Sequence, residues 1–262
     1  MGRKLQLHQF LSKTGVFSSK KEVYEVIALG KVTVNGRIVR KREFELRPNT
    51  EKVEYDGTVL SAAPRGVYIA IYKPTGYLSS KLAREDITLG KKSVFELLKA
   101  TPELLNTLFC VGRLDEDTSG LLIITNDGQL NTKIIHAQSQ VKKTYEAALA
   151  RELLPKEIER LQEGIDIEME ENGSKYMYWT KPCEIRVLHS RLVTITVSEG
   201  RKREVRRMFE AVENSVVSLK RVAIGGLTLS ELGLREREFK EVEREFLEKK
   251  VFGSVHSSFR KV

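Results

Sequence analysis

The stretch best equipped for chemistry is Gly112-Arg113-Leu114-Asp115-Glu116-Asp117-Thr118-Ser119-Gly120, a polar segment between two apolar runs, Phe109 to Leu114 and Leu121 to Thr125. Loops held by buried strands are favoured places for catalytic groups, because the scaffold fixes them. Asp115 follows the first run directly, and Arg113 is placed to bind a phosphate or pair with a carboxylate. Thr118, Ser119 and Gly120 suit a turn whose hydroxyls and amides are satisfied locally. Residue types alone leave several chemistries open. Asp115 can be a single catalytic carboxylate or part of an acidic structural turn, and three acids also raise a metal site or a two-carboxylate glycosidase. Neighbours at 115, 116 and 117 point different ways on an extended chain, which disfavours a shared metal. The sequence identifies no separate second carboxylate for a glycosidase.

Elements that must hold this segment are legible on either side. Val67, Ile69 and Ile71 alternate as in a strand with one buried face. Ser93 and Glu96 have capping-box spacing and open a helix through Val94, Leu97 and Leu98. The two apolar runs read as buried strands, as do Thr144 to Leu149, Cys183 to Leu188 and Leu192 to Val197. Helices are expected over 155–163 and 203–212, with a charged helix near 239–250. Strands and helices do not alternate regularly, so the expected class is α+β with a mixed or antiparallel sheet.

The first sixty residues form a separate unit. Leu5, Leu7, Phe10 and Leu11 make a short apolar stripe ending at Gly15. Ser19 and Glu22 repeat the capping-box spacing, and Val23, Val26 and Ile27 follow at helical spacing up to Gly30. Asn35-Gly36 between Val32-Thr33-Val34 and Arg37-Ile38-Val39 predicts a tight hairpin, since both residues tolerate positive φ. The order is helix, helix, hairpin. The unit carries twelve Lys and Arg against seven Asp and Glu, +5 of the chain's +9. Lys20, Lys21, Lys31, Arg37, Arg40, Lys41 and Arg42 fall in or beside the second helix and the hairpin, an edge able to follow a phosphate backbone. The boundaries expected are 1–60 for this unit, 61–66 for a linker, 67–250 for the larger domain and 251–262 for a flexible tail.

Composition narrows the partner. The chain has 262 residues, 40% hydrophobic and 31% charged, with a pI near 9.4. These values fit a globular protein attracted to polyanions, of which nucleic acid is the commonest. No apolar run approaches a spanning length. Cys110 and Cys183 lie far apart without a CxxC spacing, and the four histidines lack ligand spacing, so neither a disulfide framework nor a metal is expected. The opening MGRKLQLHQF has no signal-peptide core, which makes the cytoplasm the expected location. With no association helix evident, a monomer is expected.

The segment GRLDEDTSGLLIITNDG, residues 112–128, resembles the signature of the RsuA-type family of bacterial ribosomal RNA pseudouridine synthases. Three further segments match that family in order. Tyr72-Lys73-Pro74-Thr75-Gly76 resembles the opening motif of its catalytic domain, and Val141-Lys142-Lys143-Thr144-Tyr145 resembles its Lys-x-Tyr motif. Residues 199–209, EGRKREVRRMF, resemble its last, basic motif. The first sixty residues are similar to the S4-like RNA-binding domain that many members carry. The resemblance spans about residues 5–246. Two positions depart from the pattern: Ala137 follows His136 where proline is usual, and Glu204 stands where glutamine is usual. A carboxylate at 204 is expected to oppose RNA phosphate.

The resemblance implies a small helix-helix-hairpin RNA-binding domain followed by a larger mixed or antiparallel-sheet pseudouridine synthase domain. It implies that Asp115 is the essential carboxylate, either attacking the ribose anomeric carbon or removing the C2′ proton. Both roles need it ionised, and the basic partner implied by position is Arg206. Tyr145 is expected to stack on the target base. Arg113 is expected to position the nucleotide backbone and Lys73 to make contact in the cleft. Of Arg201, Lys202, Arg203, Arg206 and Arg207, some are expected to meet RNA phosphate or Asp115 and the rest solvent. The target uridine must leave its stack, which favours unpaired uridines in ribosomal RNA. The isomerisation is redox-neutral, so no cofactor is expected. Two rival readings are a noncatalytic ribosome-assembly factor that binds ribosomal RNA, and a carbohydrate-active enzyme.

Overall fold

A computed structural model describes residues 4–61, 66–171 and 173–253. Most of the expected linker, and the tail from residue 254, lie outside the described residues. The chain divides into two compact units. One comprises the N-terminal residues to Val67 with Leu98–Phe109; the other comprises Tyr68–Leu97 and the chain from Cys110 onward.

In the first unit, helices α1 (Leu7–Ser12) and α2 (Lys20–Ala28) bury Leu7, Phe10, Leu11, Val23, Val26 and Ile27 in one core. Ser19 Oγ accepts from the Glu22 amide at 3.2 Å, satisfying one of the free donors at the start of α2. Strands β1 (Val32–Val34), β2 (Arg37–Ile38), β3 (Val53–Tyr55) and β4 (Thr58–Leu60) form an antiparallel sheet in the order β2-β1-β3-β4. The expected hairpin is β1-β2, with φ of 51° at Asn35 and 77° at Gly36. Residues 98–109 were expected in the larger domain but cluster here. Asn106 Nδ2 donates to the Gly15 carbonyl at 3.0 Å, and a Cβ on Gly15 would sit 2.3 Å from the Glu103 carbonyl oxygen.

The second unit is built on a nine-stranded mixed sheet. Its central path runs through β5 (Tyr68–Lys73), β6 (Thr118–Thr125), β7 (Lys143–Leu149), β10 (Glu184–His189), β11 (Leu192–Val197), β12 (Val216–Ile224) and β13 (Phe239–Glu241), in the order β10-β11-β7-β12-β6-β5-β13. A separate hairpin, β8 (Asp166–Glu171) with β9 (Ser174–Trp179), lies between β7 and β10 in sequence. Only β6 and β12 pair in parallel along the path. The longer helices of this unit are α3 (Gly128–Ile135), α4 (Pro155–Glu163), α5 (Glu204–Glu210) and α6 (Arg244–Phe252).

Alternation along the strands gives the sheet two cores. Ala147 and Leu149 of β7, Val193 and Ile195 of β11 and Leu219 of β12 pack with Leu161 of α4 and Met208 and Phe209 of α5. Tyr68 and Ala70 of β5 and Leu121 and Ile123 of β6 pack with Leu130 and Ile134 of α3 and Leu247 and Val251 of α6.

Three expectations change. Thr118 to Gly120 form no turn; they begin β6, because they pair in register with Leu219 to Arg221 of β12. The expected tail begins too early, since α6 runs to Phe252 and buries Val251. Arg201, Lys202 and Arg203 precede α5, whose first helical residue is Glu204.

Candidate active site

Asp115 sits in the loop that leads into β6, and every backbone carbonyl from Arg113 to Thr118 is held. Arg221 Nη1 donates to the Arg113 carbonyl at 3.3 Å. Ser79 Oγ donates to the Leu114 carbonyl at 2.8 Å and accepts from the Leu114 amide at 3.1 Å. The Asp115 carbonyl accepts from the Thr118 amide, and the Glu116 carbonyl accepts from the Gly76 amide at 2.8 Å. Arg206 Nη2 donates to the Asp117 carbonyl at 3.0 Å, and Lys73 Nζ to the Thr118 carbonyl at 2.8 Å. The neighbouring acids are occupied as well: Lys91 pairs with Glu116, while Arg203 and Arg206 pair with Asp117 at 3.3 and 3.2 Å. Among the described residues, the half-buried Asp115 carboxylate accepts no hydrogen bond and enters no ion pair. A loop held on all sides around one uncommitted carboxylate is preorganised for work at that group.

The floor beside this loop is set by strand register. Ile195, Tyr145, Arg221, Gly120 and Lys73 are successive partners across β11, β7, β12, β6 and β5. Partners in a row share a face, so Lys73, Arg221 and Tyr145 lie on one side of the sheet. Gly120 makes the row possible. Its φ is 114°, and a Cβ there would lie 2.2 Å from the Arg221 carbonyl oxygen. Tyr145 is half-buried and packs against the α4–α5 core.

Besides Arg221, two buried cations support the loop. Lys73 is 0% exposed, and its ammonium donates to the carbonyls of Pro74 and Thr118. Burial pushes it down to about 8, while Asp115, then Asp117 and Glu116, act to keep its proton on. Lys73 is closed off from solvent, so in place of the expected cleft contact its ammonium supports the loop from beneath. Arg206 is also buried, and its carboxylate partner is Asp117, not the expected Asp115. Its other amino group donates to the Val216 carbonyl at 2.9 Å, so α5 is tied both to the loop and to the start of β12.

The remaining cations of the basic motif divide. Arg203 adopts a left-handed conformation, φ 54°, at the start of α5, where its side chain meets Asp117. Arg207 points inward, donating to Met169 Sδ. Arg201 lies over the Tyr178 ring at 3.5 Å. Lys202 and Arg113 are exposed. Glu204 does not face phosphate as expected; it is buried, and its carboxylate accepts from the Arg201 amide at 2.9 Å. Burial pushes Glu204 up to about 8, with the adjacent Glu199 charge adding to the shift. In the first unit, Lys20, Lys21, Lys31, Arg37 and Arg40 are all exposed.

An open depression of about 470 Å³ lies against the loop, lined by Gly76, Glu116, Asp117 and Arg203. A smaller cavity of about 250 Å³ is lined in part by Glu146 and Lys220, which alternate with Tyr145 and Arg221 and so belong to the opposite face.

Sequence reasoning misses Arg221. Strand β12 carries no clear signal, because its inward positions include this arginine where an apolar residue would have marked burial.

The profile of RNA pseudouridylate synthases matches residues 67–211, from the start of β5 through the Asp115 loop and Tyr145 to the end of α5. The chain belongs to this family. The S4 domain profile matches residues 6–52. An RNA pseudouridine synthase of Aquifex aeolicus is 36% identical over 87% of each chain. Ribosomal large subunit pseudouridine synthase B of Bacillus subtilis is 34% identical over 86% of this chain and 87% of its own. Ribosomal small subunit pseudouridine synthase A of Escherichia coli is 35% identical over 76% and 80%. A crystal structure of a pseudouridylate synthase superposes with a TM-score of 0.64 at 29% identity, covering 94% of this chain and all of that one. This pseudouridine synthase, an isomerase, carries an S4 domain ahead of its catalytic domain. No described helix is long and apolar enough to cross a membrane.

Proposed function

We propose that this enzyme isomerises a specific uridine of ribosomal RNA to pseudouridine, with Asp115 as its essential carboxylate. The observation that carries the reading is the pinned loop: six consecutive carbonyls, 113 to 118, have donors, and of the loop's three carboxylates only that of Asp115 has no partner among the described residues. An ionised oxygen held this way serves attack at the anomeric carbon or removal of the C2′ proton. Tyr145 then supplies a ring on which the detached uracil turns while C5 comes to face the sugar. Arg113 and Lys202, both exposed, take backbone phosphates near the target. The N-terminal unit adds affinity through Lys20, Lys21, Lys31, Arg37 and Arg40. Relatives named for ribosomal RNA of both subunits support the substrate class, a substrate met in the cytoplasm.

Rejoining the base through C5 releases the C5 hydrogen. The test is release of tritium from ribosomal RNA transcripts carrying it at uridine C5. Release with the wild type, lost in Asp115→Asn, is expected; equal release from both proteins removes Asp115 from the chemistry.

A further inference from the structure

We infer that Arg221 is a positioning residue for Asp115, fixing the strand-to-loop junction at the foot of Tyr145 so that carboxylate and ring address the same nucleotide. The inference rests on the reading of Asp115 above. Arg221 is 4% exposed and touches two elements besides its own strand. Its Nε donates to the Leu121 carbonyl of β6 at 2.8 Å, and its Nη1 to the Arg113 carbonyl, two residues before Asp115. On β12 it stands in register between Tyr145 and Gly120. One side chain thus ties β12, the strand paired with the one that carries the ring, to β6 and to the loop that carries the carboxylate.

A structural role alone accounts poorly for this residue. A buried guanidinium is costly unless it is paired with a carboxylate. Arg221 has no carboxylate partner among the described residues, and its buried Nη2 has no hydrogen-bond acceptor there. Its charge also acts against Lys73 and Lys143, helping to push both ammonium groups down after burial. Such an arrangement disfavours the folded chain locally, and the return is a fixed junction beside the reacting group. A misplacement of about 1 Å at such a group can cost about 100-fold in rate.

The test uses the full chain with Arg221→Met, which fills the volume without charge, and Arg221→Lys, which keeps the charge but reaches one carbonyl. Three quantities are read: the single-turnover rate at saturating RNA, RNA affinity and melting temperature. The expected result for Arg221→Met, read at a temperature where the variant is fully folded, is a rate lower by about 100-fold with affinity within about twofold, alongside a lower melting temperature from the two carbonyls left without a donor. Arg221→Lys should fall between it and the wild type, and decides the matter if the methionine variant does not fold. A saturating rate within about threefold of wild type in the variant that decides, or a loss confined to affinity or melting temperature, overturns the inference. Should Arg221 variants be fully active while Asp115→Asn is dead, the reading of Asp115 stands and only this inference falls. If Asp115→Asn is active, the reading itself has failed, whatever Arg221 does.

Discussion

Arg206 reaches Asp117 twice, its Nη2 lying 3.0 Å from the backbone carbonyl and 3.2 Å from the carboxylate. Two aspartates two residues apart therefore do different work: Asp117 anchors arginines, and Asp115 is left uncommitted. Asp117→Asn removes the charge that pairs with the buried Arg206 and with Arg203. It should cost about 1–2 kcal/mol, moderated by the half-exposed position of the carboxylate. Asp115→Asn should alter stability by less than about 0.5 kcal/mol, having no internal partner to lose. Urea denaturation of the two variants checks the contrast; equal losses would show that the loop does not distinguish them.

Lys73 offers a second test of the pinned loop. In Lys73→Met the side-chain volume is kept, but the carbonyls of Pro74 and Thr118 lose a buried donor. The expected loss is about 2–4 kcal/mol, read from the urea midpoint at neutral pH. RNA affinity should stay near wild type, because the ammonium is not exposed; a selective loss of affinity without loss of stability would return Lys73 to the RNA-facing surface.

Glu204 predicts a pH dependence. Burial and the Glu199 charge raise its folded pKa to about 8 from an ordinary 4.5. Between those values the folded chain holds a proton that the unfolded chain releases, so the contribution to stability falls as pH rises from about 4.5 to about 8. Glu204→Gln, neutral throughout, should flatten that fall: melting temperatures of variant and wild type agree near pH 4 and separate in favour of glutamine by pH 8. A wild type whose excess over Glu204→Gln grows with pH contradicts the assignment.

The N-terminal cations predict a salt effect. Alanine at Lys20, Lys21 and Arg37 should weaken RNA binding and lower the slope of log affinity against log salt by about 1 for each phosphate no longer neutralised. An unchanged slope would show that this edge does not hold the substrate.

Much of the fold is legible from local pattern. Asn35-Gly36 fixes a hairpin, Ser19 a helix start, and the alternation at 69 and 71 a strand, because each signal depends on near neighbours. The Asp115 loop is visible as a polar interval between apolar runs. What sequence alone does not disclose is which charges turn inward. Lys73, Arg206 and Glu204 are expected beside RNA or Asp115 and Arg221 gives no signal, yet all four are buried. The partners of the three cations are carbonyls and acids, mostly brought near by strand pairing across long separations, such as Gly120 with Arg221, whereas Glu204 holds the nearby Arg201 amide. Pairing of that kind also turns Thr118 to Gly120 from an expected turn into the first residues of a strand.

That the carboxylate at 115 performs the isomerisation is tested most directly by chemical mapping of pseudouridine. Unmodified ribosomal RNA is incubated with wild type and with Asp115→Asn, and the modified positions are read. A new modified position with wild type and none with the folded variant is the predicted result; a wild type that leaves the RNA unchanged, or a variant that modifies the same uridine, would contradict it.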